Sequence, residues 1–160
     1  LIGWDRVRAT PDEIRLDRGM ALTFNGIAQG HAADRVAGIL RAGGFKDVLI
    51  DMGEVMALGQ RAPGQPWRAA IAGPDGGEIA RTTLTDRALA TSSPRGTLIG
   101  TGAPHILHPS GTPPLWQTAS VSAGRAALAD ALSTAFCLMD RPAIDRALAA
   151  FPEAQLEALA

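Results

Sequence analysis

Cysteine is all but missing from this 160-residue chain. Cys137 stands alone, so no intramolecular disulfide can staple the fold and no zinc site can be assembled from several thiolates. An excess of either charge is missing too. Fifteen Lys and Arg against sixteen Asp and Glu give a net charge of -1, which excludes the broad basic surface that draws a protein to nucleic acid or anionic lipid. No apolar run has the length of a membrane span, and no repeat or low-complexity tract divides the chain. The first residue, Leu1, opens no recognisable signal peptide and leads directly into the strand-like Trp4 to Thr10, so further sequence is expected ahead of it.

What is present describes one domain over residues 1–160. With 46% hydrophobic residues, a chain of this length is expected to bury roughly 70% of its unfolded surface in a single core. Eighteen Gly and eleven Pro cut it into short elements. Extended segments are expected at Trp4 to Arg8, Ile14 to Leu16, Lys46 to Asp51, Val55 to Leu58, Trp67 to Ala72, Ile79 to Leu84, Ala88 to Ala90, His105 to Leu107 and Gln117 to Val121. Many alternate apolar and polar residues, as half-buried antiparallel strands do. A helix is expected over Ile27 to Ala42, with Ile27, Val36, Ile39 and Leu40 near the helical period, Asn25 as N-cap and Gly43-Gly44 as its stop. A second is expected over Arg125 to Leu138, where Leu128, Leu132 and Phe136 form one stripe, and a shorter third over Pro142 to Ala150. Helices inserted among strands, rather than alternating with them, predict an α+β fold with a mostly antiparallel sheet and two principal packed helices.

Three places have residues suited to chemistry. Asp130 and Thr134 fall one helical turn apart on the same side, and a carboxylate with a hydroxyl offers hard oxygen donors of the kind Mg²⁺ takes. The commoner reading of such a pair is an Asp on a solvated face and a Thr bonded back to a carbonyl. Asn25-Gly-Ile-Ala-Gln-Gly30 joins two glycines to a helix start, which can cradle a phosphate or simply be a tight capped turn. Thr91-Ser-Ser-Pro-Arg-Gly-Thr97 offers hydroxyls and Arg95 for the same purpose, or is a plain turn. His105 and His108 make an H-x-x-H pair, but on an extended segment these positions point to opposite faces and no Cys or Glu accompanies them. A histidine entering a cleft, or lying exposed on a loop, is the better reading.

Gly26-Ile-Ala-Gln-Gly30, Ala32-Ala-Asp34, Asp51-Met-Gly-Glu54, Ala90-Thr-Ser92, His105-Ile-Leu-His-Pro109 and Ala127-Leu-Ala-Asp-Ala-Leu-Ser-Thr134 follow one another in a specific order. In that order they resemble the ApbE family, the Mg²⁺-dependent FAD:protein FMN transferases. The resemblance covers nearly the whole chain and implies an ApbE-like, T-fold-like arrangement. Four positions depart from the family pattern: Gln29 replaces a lysine, His31 a tyrosine, Asn25 a glycine and His108 an aspartate. The changes at Gln29 and Asn25, with the Ser-Ser-Pro-Arg-Gly-Thr loop, resemble the NosX branch, linked to maturation of the nitrous oxide respiration system.

The resemblance implies that FAD is the substrate, that Mg²⁺ polarises its pyrophosphate, and that a threonine of an acceptor flavoprotein takes FMN while AMP leaves. It makes Asp130 and Thr134 side-chain ligands of Mg²⁺ with the Ala28 backbone carbonyl. It makes Gly26, Gln29, Gly30, Asp34, Gly53, Thr91 and Ser92 contacts to FAD, with His105 at the reacting phosphate and Asp130 catalytic through the metal. The family's N-terminal portion is expected to be missing here, and family members are typically exported, so a periplasmic or membrane-anchored location is implied. The competing readings are a carrier or maturation protein that holds FAD without transferring FMN, and a structural remnant with an empty site.

Overall fold

A computed structural model describes residues 3–160. After a 3-10 turn at Trp4–Arg6, β1 (Arg8–Ala9) and β2 (Ile14–Arg15) pair as a small hairpin, so the strand expected from Trp4 is realised only at its end. The main chain of elements runs α1 (Ala28–Ala42), β3 (Val48–Asp51), β4 (Val55–Leu58), β5 (Trp67–Ala72), β6 (Glu78–Leu84) and β7 (Arg87–Ser92). It continues with β8 (Leu98–Ile99), β9 (Ala103–Pro104), β10 (Ala119–Ala123), α2 (Ala126–Phe136), α3 (Arg141–Ala150) and β11 (Gln155–Leu159).

Five strands form the central sheet in the order β11-β10-β7-β4-β3, and every neighbouring pair is antiparallel. Side chains alternate across it as the strand period requires. Met56, Leu58, Ala88, Ala90 and Val121 face the helices, where Leu132 and Phe136 of α2 meet Ala33 and Ala37 of α1. Ala57 and Leu89 face the other way, against Ile71, Leu84 and Trp67 of the β5–β6 hairpin. Burial on both faces is why β4, β7 and β10 are almost wholly buried rather than half-solvated as their alternation suggests.

The helices meet through small residues. Gly30, Ala33 and Ala37 are the buried positions of α1, whereas Ile39 is 67% exposed and Ile27 36% exposed. The stripe expected along Ile27, Val36, Ile39 and Leu40 is therefore displaced toward the residues that permit close approach, with Val36 and Leu40 at its margin. A Cβ on Gly30 would stand 2.6 Å from the Ala126 carbonyl carbon and 2.8 Å from Ala127 Cα.

Each helix also caps the other. Asp34 of α1 accepts the backbone N–H groups of Ala126 (2.7 Å) and Ala127 (3.0 Å), while Asp130 of α2 accepts the Gly30 N–H at 3.0 Å through Oδ2. These are first-turn amides, which have no partner inside their own helix. Asn25 does not serve as the expected cap: α1 starts at Ala28, its N-cap position is Ile27, and no side chain of its own segment bonds there. By contrast α3 follows its sequence, with Asp140 accepting the Ala143 N–H at 2.8 Å and Pro142 in the first turn.

Because backbone on α2 leaves no room for a side chain at position 30, Gly30→Ala is expected to lower stability by about 3 kcal/mol. Chemical denaturation measures it, and a loss below about 0.5 kcal/mol would contradict the close helix crossing.

Candidate functional site

The interlocked helix starts, the end of β7 and the β3–β4 turn surround a cleft of about 320 Å³. The α1 start contributes Asn25 and Gln29, α2 contributes Asp130 and Thr134, and Glu54 enters from the turn. Thr91, Ser92, Ser93, Gly96 and Thr97 line it from β7 and the following loop, and His105 from beyond β9. A larger depression of about 650 Å³ on the β5–β6 hairpin is lined in part by Arg68, Glu78 and Arg81, with Arg81 Nε paired to Glu78 at 2.6 Å. Its one carboxylate is thus already paired, and no histidine or second acid joins it.

Asp130 is 4% exposed. Burial raises its pKa above the ordinary carboxylate value and the Gly30 N–H opposes that rise. This amide bond occupies Oδ2. One turn on, a chain of hydroxyls fixes Thr134. Ser133 Oγ donates to the Asp130 carbonyl (3.0 Å), so Ser92 Oγ, 2.8 Å from Ser133 Oγ, donates to it, and Thr134 Oγ1 donates to Ser92 at 3.2 Å. That direction leaves the lone pairs of Thr134 Oγ1 for another partner. Ser133 is turned away from Thr134 on the helix, yet it is tied to it through Ser92.

His105 is held by its ring. Nδ1 lies 2.9 Å from the Pro94 carbonyl and 3.1 Å from that of Thr97, two acceptors that require a hydrogen on Nδ1. In the neutral imidazole the other nitrogen, Nε2, is then a proton acceptor. His108 is tied into its own turn, its Nδ1 accepting the Ser110 N–H at 3.1 Å, so the two histidines do not act as a pair. Burial pushes the Cys137 thiol up to about 12, and its Sγ sits among backbone carbonyls, which makes it a packing residue.

The other residues singled out from the sequence fall close by. Gly26 abuts Thr134, its absent Cβ position being 3.3 Å from Oγ1, and Ala28 lies between Gly26 and the Gly30 amide that binds Asp130. Gly53 has φ +97, a conformation suited to glycine, and lies under Gln29, whose Nε2 donates to the Met52 carbonyl at 3.5 Å. Asp34 is set apart: both of its oxygens cap α2, which gives it a part in positioning the helix that carries Asp130. His31 is exposed and lies outside the cleft lining.

The sequence alone does not mark Glu54 as a site residue. It is 6% exposed, and its Oε2 has no hydrogen-bond partner. Burial, then the charge of Asp130, raise its pKa from an ordinary 4.5 to about 8, against a lowering bond from the Thr91 backbone. A signal existed: Glu54, Met56 and Leu58 share one strand parity, and the other two are buried beneath the helices. Among the described residues no three or more His, Cys, Asp or Glu side chains gather as a metal cluster.

The raised value has a sign that can be tested. Folding holds a proton on Glu54 that the unfolded chain releases, so this group's contribution is fully present below about pH 4.5 and lost as pH rises through about 8. In a chelator, melting temperature is expected to fall across that window, and Glu54→Gln is expected to flatten the fall and exceed the wild type at pH 8. Parallel melting curves for the two proteins would contradict the assignment.

The ApbE family model matches residues 1–160. Among solved structures, the flavin transferase ApbE from Vibrio cholerae is 24% identical, over 92% of this chain and 50% of its own, with a TM-score of 0.74. A Pseudomonas stutzeri flavinyl transferase ApbE is 28% identical, over 83% of this chain and 44% of its own, with a TM-score of 0.67. An ApbE protein from Thermotoga maritima is 25% identical, over 99% and 57%, with a TM-score of 0.79. The chain thus spans about half the length of these solved structures. No curated protein matches it by sequence.

Proposed function

The chain belongs to the ApbE family, and on that premise we propose that it acts as a Mg²⁺-dependent FAD:protein FMN transferase, moving FMN from FAD to a threonine of an acceptor flavoprotein. The observation that carries this reading is the meeting of Asp130, Thr134, the α1 start and His105 around one polar cleft. The solved proteins with flavin transferase activity in their names share the fold.

The donor set fits a hard cation. Asp130 has an oxygen beyond the one bonded to Gly30, and Thr134 has lone pairs directed by the hydroxyl chain; the Ala28 carbonyl is the third donor that the family resemblance supplies. When bound, Mg²⁺ supplies positive charge for the pyrophosphate oxygens and the leaving phosphate. The chain's residues do the rest. The Gln29, Thr91 and Ser92 side chains offer hydrogen bonds to FAD, and the missing side chain of Gly53 makes room for Gln29 itself, whose Nε2 would stand 2.7 Å from a Cβ there. The acceptor threonine oxygen bonds to the FMN phosphorus as the bond from that phosphorus to the bridging oxygen breaks. AMP leaves with the bridging oxygen, and the threonine proton passes to Nε2 of His105.

Asn25 and Gln29, both at the cleft, are the positions on which a NosX-like role in maturing a respiratory system rests. By the same resemblance the protein works on the periplasmic side of a membrane. The reaction is tested by incubating the full chain with FAD, Mg²⁺ and an acceptor domain. AMP is expected in equal amount to modified acceptor. AMP formed without any acceptor would mark a hydrolase and overturn the reading.

A further inference from the structure

Glu54 is not among the metal donors that the family resemblance supplied. The residue is 6% exposed and its Oε2 is buried, yet Oε2 has no partner, alone among the buried side-chain nitrogens and oxygens of the described residues. The cleft it enters also holds the Asp130 carboxylate and is lined by no Lys or Arg. Two buried acids in one cleft repel each other, and a buried charge without a partner is costly unless something positive joins it. The lining provides no fixed positive charge: α1 and its start contribute Asn25 and Gln29, β7 and its loop contribute hydroxyls, α2 contributes Asp130 and Thr134, and the one basic group is the His105 imidazole.

Strand geometry holds Glu54 in this position. It ends the β3–β4 turn, where the Met52 N–H bonds the Glu54 carbonyl at 3.1 Å, and it keeps the parity that sends Met56 and Leu58 beneath the helices. The carboxylate is thus placed by backbone pairing and by the bond from the Thr91 backbone, which leaves Oε2 free. A buried acid with one oxygen left without a partner, in a cleft shared with a second acid and a free hydroxyl, is the arrangement of a cation ligand awaiting its ion.

We propose that Glu54 is a direct ligand of the divalent cation, so that the site is built on two carboxylates, Glu54 and Asp130, with Thr134 as a neutral donor. This rests on the cleft being the Mg²⁺ site of the proposed transferase. The second carboxylate has a consequence of its own. Two negative ligands balance the charge of a divalent ion without substrate phosphates, so the protein holds the cation before FAD arrives. The cation then forms part of the surface that FAD's pyrophosphate meets.

Mn²⁺ alone is the probe. Titrated into the full chain in the absence of FAD, with free Mn²⁺ followed by electron paramagnetic resonance, it is expected to bind at one site. Glu54→Gln keeps size and polarity and removes the charge, and is expected to weaken Mn²⁺ by roughly tenfold or more. Unchanged Mn²⁺ affinity in Glu54→Gln, or no FAD-independent site in the wild type, overturns the inference. If Glu54→Gln does not fold, Glu54→Asp retracts the carboxylate by one methylene and is expected to weaken Mn²⁺ as well. Its binding Mn²⁺ like the wild type would equally overturn the inference. Asp130→Asn separates the two levels. Loss of Mn²⁺ in Asp130→Asn but not in Glu54→Gln removes Glu54 from the site and leaves the transferase reading standing, whereas FMN transfer to an acceptor judges that reading independently.

Discussion

Asp130→Asn is expected to slow FMN transfer by roughly 10³-fold while changing FAD affinity by less than about tenfold. The asymmetry follows from what the substitution removes. Asn keeps an oxygen that can accept the Gly30 N–H, the bond that Asp130 Oδ2 makes at 3.0 Å, so the mutual capping of the two helices survives. It loses the negative charge that would bind the cation, and that charge matters most as the leaving phosphate develops its own. On the proposed reading FAD would keep its other contacts, along Gln29 and the Thr91-Ser92 strand end. Single-turnover transfer and flavin fluorescence measure the two quantities separately. Ser133→Ala, which acts on Thr134 only through Ser92, is expected to have a much smaller effect. An unchanged transfer rate in folded Asp130→Asn would sink the mechanism.

His105→Ala is expected to cost about 10²-fold in transfer rate, the scale of one positioned general base. The Pro94 and Thr97 carbonyls fix the hydrogen on Nδ1, which leaves Nε2 to receive the threonine proton. Single-turnover transfer measures it, with FAD affinity expected to change far less than the rate. An unchanged transfer rate in folded His105→Ala would mean that some other group accepts the proton.

The parts of this molecule that sequence makes legible are those set by local period. The Leu128, Leu132 and Phe136 stripe places α2, and the spacing of Asp130 and Thr134 places both on the cleft side of that helix. The antiparallel α+β class follows from short strands between Gly and Pro. What local reading misses comes from partners far along the chain. The α1 amide of Gly30 is capped from 100 positions away and the α2 amides by Asp34 from more than 90, so Asn25 is the natural but mistaken cap. The segment Gln155–Leu159 is rich in helix formers, yet it becomes an edge strand because β10 has an open edge to pair with. Residues His105 to Leu107 form no strand. Ala103–Pro104 pairs with Leu98–Ile99 instead, and the exposed His105 is held at the cleft by carbonyl bonds. Glu54 was hidden for a related reason: its chemistry depends on Asp130, which sits on a different element.

The intact mass of the acceptor domain tests the central claim most directly. After incubation of the full chain with FAD, Mg²⁺ and an acceptor carrying its target threonine, the acceptor is expected to gain one FMN, with the threonine→alanine acceptor gaining none. FAD held tightly by the chain while the acceptor's mass stays unchanged would contradict the account and make the protein a flavin carrier.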